Sequence, residues 1–79
     1  MKEVAIYTTP SCHFCHMAKD FFKEKGVSYE EYNVASDEMR RDELLDITGK
    51  LAVPVIKIGD NYMVGFSRQA VAQALGIEE

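Results

Sequence analysis

Val4-Ala5-Ile6-Tyr7 is an unbroken apolar run closed by Thr8-Thr9-Pro10, a pattern that predicts a short buried strand. The period then changes. Phe14, Met17, Ala18, Phe21 and Phe22 recur at i, i+3, i+4, i+7 and i+8, which predicts one apolar stripe of an amphipathic helix. Gly26 stops that helix, and Lys23 and Lys25 in its last turn suit the negative end of the dipole. Tyr29, Tyr32 and Val34 predict a second strand, with imperfect alternation. Ser36 or Asp37 can cap a second helix whose apolar side is Leu44, Leu45 and Ile47 and which ends at Gly49. Val53 to Ile58 and Tyr62 to Val64 flank Gly59-Asp60-Asn61, which predicts a hairpin with a three-residue turn. Ser67 caps a last helix whose Ala70, Val71, Ala74 and Leu75 share a face before Gly76.

The resulting order is βαβαββα. Its first half is a right-handed parallel crossover, and its second half adds an antiparallel hairpin and a covering helix. A four-stranded mixed sheet with helices on both faces is the α/β architecture expected, with residues 1–79 forming one domain. The 47% hydrophobic fraction supplies a core and argues against disorder. Apolar runs are only a few residues long, so neither a membrane span nor a signal peptide is expected, and the reading is a soluble cytoplasmic monomer.

Net charge is −4, which disfavours nucleic acid as a partner because phosphate binding needs a basic surface. The acidity is local. Residues 30–46 hold seven acids against Arg40 and Arg41, while the flanking segments are close to neutral. A solvated face is the expectation for that block.

The chemistry lies in Cys12 and Cys15, within Cys12-His13-Phe14-Cys15-His16. A bridge between them would close too small a ring to staple a chain by loop entropy. A Cys-x-x-Cys beside a βαβ pattern is instead a redox signal. Cys12 falls where the first strand turns into the first helix, and the positive helix end there favours a thiolate. Lowering a thiol pKa from about 8.5 to about 7 raises the thiolate fraction at neutral pH from about 3% to about 50%. Cys15, one turn further in, is expected to be less exposed. Cys12 would then attack a disulfide and Cys15 would resolve the mixed disulfide.

Other uses compete for the same residues. A zinc site needs four ligands, and Cys12, Cys15 and His13 or His16 would need strained geometry or a second chain. A cluster of iron and sulfur shared between chains meets the same objection. The run also matches the C-x-x-C-H of c-type haem attachment, with Met39 or Met63 as the other axial ligand, in a predominantly helical protein. Against haem stand the missing export signal and the position of the pentapeptide between a buried strand and an amphipathic helix. His16 reads as a solvent-facing helix residue. His13, when protonated, would favour the Cys12 thiolate and tune the site.

Together these residues resemble the glutaredoxin family, within the thioredoxin fold. The likeness covers nearly the whole chain: Ile6-Tyr7-Thr8 before the dithiol, Cys12 to Cys15, Ala52-Val53-Pro54, and Gly65 after the last strand. It implies a dithiol–disulfide oxidoreductase with no bound cofactor or metal, acting on disulfide-containing client proteins. It also implies a cis Val53-Pro54 facing the dithiol, with the Val53 backbone free to pair with an extended substrate. The substrate-binding set implied is Thr9, Ala52, Val53, Pro54, Gly65, Phe66, Ser67 and Arg68. Two departures bear on the reductant. Thr9 stands where many glutathione-dependent members carry lysine or arginine, and Gly65-Phe66-Ser67-Arg68 stands where they carry Gly-Gly and an aspartate. The Gly-Phe is similar to redoxins that serve ribonucleotide reductase and are recharged by thioredoxin reductase. Backbone N–H groups at Ser67 and Arg68 could still hold a carboxylate, and Lys57 or Arg68 could meet one. Glutathione is the expected reductant and thioredoxin reductase the alternative. Phe66 either packs on the core or contacts a partner.

Overall fold

The computed structural model describes residues 3–77. Its elements are β1 (Val4–Thr8), α1 (His13–Glu24), β2 (Glu30–Asn33), α2 (Glu38–Thr48), β3 (Val55–Ile58), β4 (Asn61–Val64) and α3 (Arg68–Leu75). The strands form one mixed sheet in the order β2-β1-β3-β4. β2 runs parallel to β1, with Ile6 beside Glu31 and Thr8 beside Asn33. β3 runs antiparallel to β1, with Tyr7 opposite Val55, and β4 runs antiparallel to β3. This mixed sheet replaces the predominantly helical alternative.

Strand alternation sorts the core into two layers. Val4 and Ile6 of β1 and Ile56 and Ile58 of β3 face Ala18, Phe21 and Phe22 of α1 and Val71 and Ala72 of α3. Tyr7 and Val55 point the other way, to Val34 and to Leu44 of α2. Helices therefore cover both faces, α1 and α3 on one and α2 on the other. β2 sits at an edge with Glu30 and Glu31 exposed, which explains its imperfect alternation: an edge strand carries charge that discourages pairing with another chain.

Caps fix the helix ends. Asp37, rather than Ser36, caps α2, its carboxylate accepting from the Arg40 N–H at 3.1 Å. Ser67 Oγ does the same for α3, accepting from the Ala70 N–H at 3.4 Å.

Three expectations are corrected. Phe14 and Met17 are 55% and 41% exposed, and Cys15 takes the core-facing place in the first turns of α1. The buried stripe of α1 runs through Cys15, Ala18 and Phe22 with Phe21 beside it, which turns Phe14 and Met17 to solvent. Leu45 is likewise exposed, and α2 buries only Leu44 fully. The hairpin turn has two residues rather than three, because Asn61 pairs with Ile58. The acidic block is a solvated face, as expected, with only Glu43 half-buried, and several of its carboxylates are bonded. Glu30 accepts from the Tyr32 hydroxyl, Glu31 pairs with Lys19, and Glu43 pairs with Arg40 and accepts from the Tyr7 hydroxyl.

Candidate active site

The register places three segments at one end of the sheet. β1 leads out of Thr8 into Thr9–Cys12, Pro54 enters β3 opposite that exit, and β4 ends beside it at Val64 before Gly65–Arg68. Gly65 N–H donates to the Pro54 carbonyl at 2.7 Å and ties the last two segments together. Gly65 has φ of +87°, a left-handed conformation that favours glycine. The Val53–Pro54 peptide is cis, and Pro54 is buried.

Cys12 is the N-cap of α1, a place where serine, threonine or aspartate is usual. Its Sγ accepts from the Cys15 N–H at 3.2 Å, so a sulfur occupies the positive end of the helix. The loop is held by Cys12 N–H on the Thr9 carbonyl at 3.3 Å and by His16 Nε2, 3.2 Å from the Pro10 carbonyl. Both cysteines are free thiols, Cys12 half-buried and Cys15 fully buried. Burial pushes the Cys15 thiol up to about 12, reinforced by the hydrogen bond and charge of Cys12. A backbone hydrogen bond from Thr9 and the nearby Lys19 ammonium act in the opposite direction. The two sulfurs are thus chemically unlike: one accessible at a helix end, the other sealed behind it.

The rest of the expected site divides. Thr9 accepts from the Cys12 N–H, and Pro54 and Gly65 are tied to the same end of the sheet by register and hydrogen bond, with Ala52 and Val53 preceding Pro54 and Ser67 following Phe66 along the chain. His13 is exposed, its ring edge-on to Phe14 with centroids 5.7 Å apart. Phe66 packs on the core, its ring centroid 5.9 Å from that of Phe21. Arg68 points away. Its guanidinium pairs with Glu24 and lies 4.7 Å over the Phe21 ring, towards the far end of α1. Lys57 stands on the α2 face near Tyr62 and lines a broad cleft of about 960 Å³ that contains neither cysteine. Neither cation is therefore presented to the dithiol. Met63 packs against the core and Met39 stands exposed on α2. Among the described residues, no group of three or more His, Cys, Asp or Glu side chains is arranged to hold a metal ion. No helix among them is long and apolar enough to cross a membrane.

Sequence reasoning missed one feature of the site. Glu31 Oε2 accepts from Lys19 Nζ at 2.9 Å and from the buried Thr8 Oγ1 at 3.0 Å. Lys19 is one turn beyond Cys15 on α1, a visible i, i+4 signal, but its partner depends on the β1–β2 register.

The Glutaredoxin family model matches residues 4–63. A glutaredoxin-like protein of the Clostridium pasteurianum rubredoxin operon is 35% identical over 68 residues, covering 86% of this chain and 91% of that one. Glutaredoxin 3 of Escherichia coli is 35% identical over 65 residues, covering 82% and 78%. The thioredoxin-like protein BC3987, in a crystal structure of a single-substitution variant, superposes with a TM-score of 0.90 at 33% identity, covering 99% and 100%. The glutaredoxin-like NrdH-redoxin of Escherichia coli superposes with a TM-score of 0.78 at 28% identity, covering 90% and 92%. The sequence match, the sheet order and the placement of the dithiol agree: the chain belongs to the glutaredoxin family, as a glutaredoxin-like redox protein of the thioredoxin fold.

Proposed function

We propose that the protein is a dithiol–disulfide oxidoreductase that reduces disulfides in client proteins or mixed disulfides with glutathione. Cys12 attacks the client disulfide, and one client sulfur leaves with the electron pair. Cys15 then attacks Cys12 Sγ, releases the second client sulfur and leaves a Cys12–Cys15 disulfide. The observation that carries this reading is the unlike pair of thiols: Cys12 half-buried at the N-cap, and Cys15 buried with its N–H 3.2 Å from Cys12 Sγ. An extended client segment alongside Val53 would complete the encounter by backbone pairing, with Thr9, Ala52, Pro54, Gly65 and Ser67 around it. Turnover of a disulfide-bonded protein substrate tests the division of roles. Cys12→Ser should abolish it, and retention of activity in that variant would refute the assignment.

Glutathione is the proposed reductant, with the N-terminus of α3 at Ser67 and the Val53 backbone as its frame. One observation favours thioredoxin reductase instead: Arg68 is engaged with Glu24, away from the dithiol. NrdH-redoxin, described as having a thioredoxin-like activity profile, is a structural neighbour in keeping with that reading. Reduction of the oxidised protein by glutathione with glutathione reductase, compared with thioredoxin reductase and NADPH, separates the two. Fast reduction only in the second mixture refutes glutathione.

A further inference from the structure

The resolving step has an unanswered requirement. Cys15 is fully buried, and to attack Cys12 it must become a thiolate. The Thr9 backbone brings it a hydrogen bond but no full charge. Cys12 faces it from the loop, but once bonded to a client that sulfur is neutral and no longer opposes ionisation of Cys15. His16 is the next residue of α1, but its ring turns back to the Pro10 carbonyl.

What remains is Lys19. It follows Cys15 by four residues on α1, so both side chains lie on the same side of the helix, one turn apart. Its own side chain is only 19% exposed, and its Nζ is fixed 2.9 Å from Glu31 Oε2. That same oxygen accepts from the buried Thr8 Oγ1 at 3.0 Å, so β1 and β2 jointly hold the carboxylate in place. Glu31 lies beside Ile6 in the parallel register, on the sheet face that α1 covers. A lysine free in solvent would sample many rotamers. This one is held on the side of the helix that carries the resolving sulfur.

We propose that Lys19, anchored by Glu31 and Thr8, is a positioning residue whose ammonium favours the Cys15 thiolate as the mixed disulfide is resolved. The inference rests on the dithiol reading above. In the step, Cys15 S–H gives its proton to water and its sulfur bonds to Cys12 Sγ. The Cys12–client S–S bond breaks, and its electron pair leaves on the client sulfur. Directions of ionisation agree: the Lys19 ammonium pulls the Cys15 thiol down against its burial, and pairing with Glu31 keeps Lys19 charged. Glu31 is correspondingly held below the usual carboxylate range, chiefly by its hydrogen bond with Lys19.

The test follows thionitrobenzoate release when the reduced protein reacts with excess of its aromatic disulfide. The first equivalent reports attack by Cys12, and the second reports resolution by Cys15. Lys19→Gln should leave the first phase unchanged, slow the second about tenfold near neutral pH, and move its pH profile about one pH unit higher. Lys19→Arg, which keeps the charge, should restore the second phase to within about threefold. A merely structural role would not move the pH profile. Superimposable second-phase profiles for Lys19→Gln and the wild-type protein would overturn the role of Lys19 and leave the dithiol reading standing. Absence of a second phase in the wild-type protein would overturn both.

Discussion

Alkaline pH should weaken this fold through Cys15, and replacing Cys15 with alanine should remove that part of the weakening. Burial pushes the thiol from an ordinary 9.0 up to about 12. Between those values the unfolded chain has released its proton while the folded chain still holds it. The contribution is therefore intact below pH 9 and lost progressively as the pH rises towards 12. Linkage gives a loss of about 1.4 kcal/mol at pH 10 and about 2.7 kcal/mol at pH 11. Tyr7, buried and bonded to Glu43, is also raised above its ordinary 10.0, and Lys19 above 10.5, so the wild-type protein has further alkaline losses. The comparison with Cys15→Ala isolates the thiol. Urea unfolding of both proteins, kept reduced with a phosphine, would be measured from about pH 7 to about pH 10.5. The stability difference between them should be flat below about pH 8.5, then shift against the wild-type protein by about 1.4 kcal/mol by pH 10. A difference that stays flat across the whole range would show that the folded chain does not raise the ionisation of Cys15.

Three further substitutions probe the frame of the site. Phe21→Ala removes a ring that is 1% exposed and packed against Phe22 and Phe66, and should cost about 3–5 kcal/mol in urea unfolding. For a chain whose whole stability is on the order of 4–12 kcal/mol, that is a large share. Asp37→Ala removes the cap of α2 and should cost about 1 kcal/mol by the same measurement. Gly65→Ala meets no atom within 4 Å but must hold φ of +87°, so its cost of about 1–2 kcal/mol should come from the backbone alone.

Features set by local chemistry were legible in the sequence. The stop at Gly26, the cap at Ser67, the buried run of β1 and the Cys12 turn each depend on a few neighbouring residues, and each is found where expected. Phe14 and Met17 misled because Cys15, Ala18 and Phe22 share the same helical spacing, and periodicity alone does not choose between two overlapping stripes. Cys15, Ala18 and Phe22 take the core-facing side, and Phe14 and Met17 are turned to solvent. The Arg68–Glu24 pair was hidden for a related reason. Glu24 lies on α1, forty-four residues away in sequence, and is reached only once α3 packs beside that helix. The Lys19–Glu31–Thr8 arrangement needs three elements and a strand register, which no local pattern contains.

If Cys12 attacks and Cys15 resolves, the intermediate can be trapped. Cys15→Ser would be incubated with a disulfide-bonded substrate, digested without reductant and mapped by mass spectrometry. One stable mixed disulfide is expected, on Cys12, and a small thiol should reverse it. Recovery of Cys15→Ser with no adduct on Cys12, while the wild-type protein still reduces the same substrate, would contradict this division of roles.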